Sequence, residues 1–118
     1  MPHRLLMTKE YASLLSVLSH PARLQILEEL RTGERDVTSL QEALGLSQPR
    51  TSQLLSVLKA HRLVSERKVG RNVMYHLTQP ELAAWLVAGL AFVAGGSVPA
   101  EEFLSAIEAV RQLWSDGN

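Results

Sequence analysis

The stretch from Gly45 to Ala60, GLSQPRTSQLLSVLKA, constrains the fold of this chain more tightly than any other. Wound as a helix, it brings Thr51, Leu54, Leu55 and Leu58 to one side at the i, i+3, i+4, i+7 spacing of a buried stripe. The other side carries Pro49, Ser52, Gln53, Ser56 and Ala60, flanked by Arg50 and Lys59, with no acid in the segment. Small side chains let a helix approach a nucleic-acid groove closely, while Gln and Arg reach base edges and phosphates. An ordinary solvated face has the same composition, so the flanking sequence must decide.

On its N-terminal side, Thr38-Ser39-Leu40-Gln41 has the form of a capping box, Thr38 serving the N3 amide and Gln41 reaching back. A short helix through Ala43 and Leu44 follows and stops at Gly45. Leu46 then covers the turn, and Ser47 caps the next helix. Two short helices joined around a glycine make a helix-turn-helix. After His61 the period changes: Leu63–Val69 and Asn72–Leu77 are β-branched or alternating runs about Gly70-Arg71, a β-hairpin with a basic tip. A helix-turn-helix followed directly by a hairpin is a winged helix.

Two helices precede this unit. The first is expected from Thr8 to Leu18, with Tyr11, Leu14, Leu15 and Leu18 at helical spacing. Ser19-His20-Pro21 breaks it; Ser19 or His20 can cap, and Pro21 suits the first turn of a helix carrying Leu24, Ile26, Leu27 and Leu30. That helix should fade at Thr32-Gly33. Beyond the hairpin, Thr78-Gln79-Pro80-Glu81 repeats the capping-box pattern. Leu82 to Ala94 then has no polar side chain. The run is shorter than the roughly 20 residues of a membrane span. A helix apolar on all sides needs cover on all sides, which points to a second subunit. A last amphipathic helix presents Phe103, Ile107, Val110 and Trp114.

The expected fold class is therefore mainly α with a small β-hairpin, a winged helix-turn-helix built as one domain over residues 1–118. Residues 36–78 form the helix-turn-helix and wing, flanked by helical segments over residues 8–18 and 80–115. Trp85, Leu86, Gly89, Phe92, Val93, Ile107 and Trp114 are the expected contacts with that second subunit.

The formal net charge of zero conceals an asymmetry. Gly45 to His76 carries Arg50, Lys59, Arg62, Arg67, Lys68 and Arg71 against Glu66 alone, while the flanking parts are net acidic. Positive charge confined to the central third makes one local electrostatic footprint rather than a generally polyanion-binding surface. The 118 residues contain no cysteine, which removes disulfides, thiol redox sensing and thiolate metal sites and fits an intracellular protein. The first ten residues lack the apolar core of a signal peptide, so a cytoplasmic location is expected.

Leu18-Ser19-His20-Pro21-Ala22-Arg23-Leu24-Gln25-Ile26-Leu27 resembles the signature of the ArsR/SmtB family of bacterial winged-helix repressors. So do Leu44 to Leu55, Leu58-Lys59, Leu63-Val64 and the wing residues Arg67, Gly70-Arg71 and Tyr75-His76-Leu77. The likeness runs unbroken from about Lys9 to Pro80. It implies a homodimer whose terminal dimerisation helices, residues 8–18 (through Tyr11, Leu14 and Leu15) and 80–115, pair across a two-fold axis, with one recognition helix per subunit in the major groove of double-stranded operator DNA.

The family's metal sensing is not carried over. Its thiolate motif would fall on Asp36-Val37-Thr38-Ser39-Leu40, which has no cysteine, and the C-terminal helix has no histidine. His3, His20, His61 and His76 form no i, i+3 or i+4 pair, leaving only a site assembled from distant residues. No metal or cofactor is expected.

By that resemblance the DNA-binding candidates are Ser47, Gln48, Arg50, Thr51, Ser52 and Gln53, with Arg50 and Gln53 leading for base readout. Thr51 also lies near the buried side of the wheel. On the wing, Arg67, Lys68, Arg71 and Asn72 would meet phosphates or an adjacent minor groove. Ser47 is explained by its cap alone, though helix N-terminal amides beside it could hold a phosphate.

Two other functions fit less well. A winged helix used only for protein interaction would not need positive charge concentrated at its centre. A repressor sensing a small apolar effector would use a pocket at the dimer interface, among the alanines and aromatics of the last helices. Enzymatic activity is not expected, because no nucleophile motif or carboxylate–histidine cluster is present.

Overall fold

The structure is a computed structural model that describes residues 2–89 and 109. It divides into two compact units, Met1–Thr78 and Gln79–Asn118. In the first, helices α1 (Pro2–Leu18) and α2 (Pro21–Glu29) lead through a 3-10 turn, Leu30–Thr32, to strand β1 (Arg35–Asp36). Helices α3 (Val37–Leu44) and α4 (Gln48–Ala60) then precede strands β2 (Val64–Val69) and β3 (Asn72–Leu77). The second unit is described through helix α5, Glu81–Gly89. This is the winged helix-turn-helix expected, mainly helical with a small antiparallel sheet.

Every helix of the first unit contributes to one core. Val17 and Leu18 of α1, Ile26 and Leu27 of α2, Leu30, Leu40 of α3, and Leu54, Leu55 and Leu58 of α4 are buried there. Val64 and Leu77, opposite one another at the base of the hairpin, complete it. Arg23 reaches back from α2 to donate to the Val17 carbonyl at 3.2 Å, fixing the corner between α1 and α2.

Three local expectations change. First, α1 begins near Pro2 rather than Thr8. Its added turns leave Leu5, Leu6 and Met7 exposed, and Met7, Tyr11 and Leu15, each one turn on from the last, form an exposed apolar stripe. Second, α3 is capped by Asp36 and not by Thr38. The Asp36 carboxylate accepts from the Ser39 amide at 2.8 Å, and the helix has already begun at Val37. Aspartate is the stronger cap, so a D-x-x-S arrangement overrides the overlapping T-x-x-Q box. Third, the hairpin is two strands of a three-stranded sheet ordered β1-β3-β2. Arg35 pairs with Tyr75 and Asp36 with Met74. A two-residue strand has no alternation for a sequence pattern to detect.

The turns follow their chemistry. Gly45 adopts φ 66 and ψ 33, and its amide and that of Leu46 both return to the Gln41 carbonyl, at 2.8 and 3.2 Å. This left-handed stop sets the angle between α3 and α4. In the second unit, the Leu82 and Ala83 amides donate to the carbonyls of Gln79 and Pro80, forming the entry to α5. The Thr78 hydroxyl is 2.9 Å from that of Ser65 across the hairpin base, away from the box expected of it.

Tyr11 and Leu15 are about half exposed and Leu14 is half-buried; on α5, Trp85 and Gly89 are exposed and Leu86 is half-buried. Phe92, Val93, Ile107 and Trp114 lie outside the described residues. No described helix is long and apolar enough to cross a membrane.

Leu58 is 0% exposed in a core shared by four helices and the hairpin. Leu58→Ala should therefore lower unfolding free energy by about 2–5 kcal/mol, measured by denaturant titration. A loss below about 0.5 kcal/mol, the range of an indifferent surface change, would contradict this packing.

Candidate nucleic-acid interface

Helix α4 is held by opposite properties on its two faces. On the inner face Thr51, Leu54, Leu55 and Leu58 are at most 1% exposed. On the outer face Gln48, Pro49, Gln53, Ser56, Lys59 and Ala60 are exposed, and Arg50 and Ser52 are partly so. Ser47 caps the helix as expected, its hydroxyl accepting from the Arg50 amide at 3.2 Å. Pro49 occupies the first turn, where its missing N–H is no loss.

The polar side chains of the outer face are ordered in pairs one turn apart. Gln48 donates through Nε2 to the Ser52 hydroxyl at 2.7 Å, and Arg50 through Nη1 to Gln53 Oε1 at 3.3 Å. The two residues expected to lead base readout are thus neighbours with a shared hydrogen bond. Each still has unused donors, since a guanidinium has five and an amide two.

Thr51 leaves the candidate set. It is 0% exposed, and its hydroxyl donates to the Ser47 carbonyl at 2.8 Å. A side chain closed off on the core side cannot meet DNA. Its place is the one its spacing gives, on the buried stripe with Leu54, Leu55 and Leu58.

The wing turns at Gly70-Arg71. Val69 and Asn72 form the last pair of the hairpin, and Gly70 adopts φ 63. A two-residue hairpin with glycine first matches the right-handed twist of its strands. Lys68, Arg71 and Asn72 are exposed at this end, and neither Lys68 nor Arg71 has an acidic partner among the described residues. Arg67 differs. Its Nε and Nη2 donate to the two oxygens of Glu34, each at 2.6 Å. The expected phosphate contact is therefore already committed along one edge.

Two further ion pairs frame the site. Arg35 pairs with Glu29 and also donates to the Ser39 hydroxyl at 2.8 Å. Lys59, in the last turn of α4, pairs with Glu66 of β2 at 2.5 Å. Glu66 stands opposite Tyr75 in the sheet, so Lys59, Glu66 and Tyr75 link the end of α4 to both strands of the wing. Hydrogen bonding to Arg67 lowers the Glu34 carboxyl below its ordinary 4.5. Lys59 first, and Tyr75 second, do the same for Glu66. Burial, followed by the Glu66 hydrogen bond, pushes the Tyr75 phenol upward.

Glu34, Glu66 and Tyr75 were not expected to matter to the site. Glu66 could be noticed as the lone acid in a basic stretch. Glu34 gives no comparable signal, because its partner lies 33 residues away in sequence. Among the described residues, no group of three His, Asp or Glu could hold a metal ion.

The description of bacterial regulatory proteins of the arsR family matches residues 20–66, from the start of α2 into the wing. The biofilm growth-associated repressor of Xylella fastidiosa is 41% identical over 81 residues, covering 69% of this chain and 70% of that protein. The chain belongs to the arsR family. The crystal structure of the transcriptional repressor BigR from Xylella fastidiosa resembles this arsR-family chain with a TM-score of 0.68. Identity is 32%, over 80% of this chain and 96% of that one. A solution structure of a homodimeric winged helix-turn-helix DNA-binding domain from Mycobacterium bovis gives a TM-score of 0.69. Its identity is 29%, over 77% of this chain and 86% of that one.

Two expectations follow from the geometry of this arsR-family chain. Thr51→Val should cost about 1 kcal/mol or less, because the Ser47 carbonyl keeps the Thr51 amide as a donor. It should leave DNA affinity within about twofold, a difference worth only a few tenths of a kcal/mol; a tenfold loss in a binding titration would return Thr51 to the DNA face.

The second concerns pH. Both carboxylates titrate below 4.5 in the folded protein, so their pairs stabilise it fully above that value. The contribution is lost as pH falls through the folded values. Carboxyl-carbon NMR should place Glu34 and Glu66 below 4.5, with Arg67→Ala moving Glu34 upward and leaving Glu66 in place.

Proposed function

We propose that this chain is a sequence-specific, DNA-binding transcriptional repressor that works as a homodimer on an inverted-repeat operator. One observation carries the reading. The polar face of α4 from Ser47 to Gln53 is solvent-facing and lies opposite a face buried to within 1%. A basic hairpin follows it directly in the chain. Gln48, Arg50, Ser52 and Gln53 read base edges in the major groove, with Arg50 suited to guanine and Gln53 to adenine. The Ser47 end of the helix takes a phosphate. Lys68, Arg71 and Asn72 hold phosphates or enter the adjacent minor groove, and Arg67 joins them through its open edge.

In this reading residues 36–78 bind DNA, while residues 8–18 and 80–115 form the dimerisation arms of a single functional domain. The support is the apolar stripe of α1, where Met7, Tyr11 and Leu15 are 47–65% exposed. The Mycobacterium bovis relative is described as homodimeric. Two recognition helices related by a two-fold would sit about one DNA turn apart, roughly 34–36 Å. Such a protein works in the cytoplasm, beside the chromosome, and catalyses no reaction. With no cysteine in its 118 residues, it is not switched by a thiolate-bound metal. We place its effector, a small molecule or another regulator, outside that chemistry.

The DNA upstream of the chain's own gene is the first target to test. In fluorescence anisotropy, log K should fall linearly with log salt at about 0.9 per neutralised phosphate. Arg50→Ala with Gln53→Ala should cost about 10-fold or more on a specific site, the loss expected for one or two base contacts, and little on random DNA. Salt-insensitive binding, or an unaffected double variant, would sink the proposal. Sedimentation at micromolar concentration should give a dimer.

A further inference from the structure

Glu34 and Arg67 come from distant parts of the chain and meet at the sheet. Glu34 immediately precedes β1, Arg67 lies within β2, and β3 runs between those strands. The pair uses Nε and Nη2 of Arg67, the side-on edge of the guanidinium. The end-on edge, Nη1 with the outer hydrogen of Nη2, meets no acceptor among the described residues. The Arg67 side chain is 61% exposed and that of Glu34 29%, so the acid is the inner partner and the base the outer one. From β3, His76 Nδ1 faces the same carboxylate at 3.6 Å, too far for a hydrogen bond, and has no hydrogen-bond partner among the described residues.

We propose that Glu34 is a specificity-determining residue of the wing, clamping the side-on edge of Arg67 so that DNA meets only the end-on edge, at a position fixed by the sheet. The proposal rests on the DNA-binding reading above. An unclamped arginine satisfies any phosphate its flexible stem can reach. A clamped one has lost that freedom before DNA arrives, so it favours a phosphate or base edge in the right register. Glu34 therefore acts through Arg67 as a positioning residue and need not touch DNA itself.

The test is a double-mutant cycle on the full chain. The wild type first selects a preferred duplex from a randomised library. Dissociation constants are then measured for that duplex and a scrambled one of equal length. Glu34→Gln frees Arg67 to reach phosphates out of register, so it should tighten the scrambled duplex about 3–10-fold and leave the preferred one within about twofold. The preference thus falls. With Arg67→Ala already present, Glu34→Gln should leave the preference unchanged, because coupling vanishes when the intermediary is absent. Arg67→Lys, which keeps the charge but cannot form the side-on fork, should lower the preference as Glu34→Gln does. Equal tightening on both duplexes overturns the clamp, since Glu34 then acts only as bulk charge. So does an undiminished effect in the Arg67→Ala background. A wild type that enriches no sequence overturns the DNA-reading function and the clamp with it.

Discussion

Thr51, Leu54, Leu55 and Leu58 are sealed into the core along one side of α4, and the direction of every side chain on its far side follows from that seal. A helix fixed along a buried stripe cannot rotate without exposing leucine or burying arginine and glutamine, each costly. The rest of the first unit supplies the other wall. Ile26 and Leu27 come from α2, Leu40 from α3, and Val64 and Leu77 from the hairpin base. The turn at Gly45 and the cap at Ser47 then set where the helix starts. Orientation of the polar face is thus a property of the whole core.

That seal also explains which features were legible in the sequence. The leucine spacing of α4, the stop at Gly45, the Ser47 cap and the two runs about Gly70 are local signals, and each appears where its chemistry requires. Spacing puts Thr51 on the buried stripe while the resemblance puts it among the DNA contacts; the packing and the bond to the Ser47 carbonyl follow the spacing. The α3 start was misplaced because two capping patterns overlap and the stronger one lies two residues earlier. Strand β1 exists because β3 offers it an open edge, which its own two residues do not announce.

The least legible part is the charge network. Arg67 reads in sequence as one more wing cation, yet its guanidinium is already engaged by Glu34. Lys59 likewise reads as part of a basic helix end and is paired with Glu66. Two of the six bases between Gly45 and His76 are therefore committed to carboxylates, and one of those carboxylates lies outside the basic stretch altogether. Counting charge along the chain overstates what the free surface offers. The Lys59–Glu66–Tyr75 link gives the arrangement a second meaning: the end of α4 and the wing are tied to each other beyond their shared core.

The sheet order β1-β3-β2 makes β2 an outer strand of the described sheet, with Glu66, Arg67 and Lys68 in succession along it. An unpaired strand edge invites another chain to add to it, and charged side chains along the edge discourage that addition. The residues at the wing are thus held to two requirements at once. Replacing them with apolar residues would open a route to edge-to-edge association between wings. Solubility would then limit how far this surface can be altered, independently of anything it recognises.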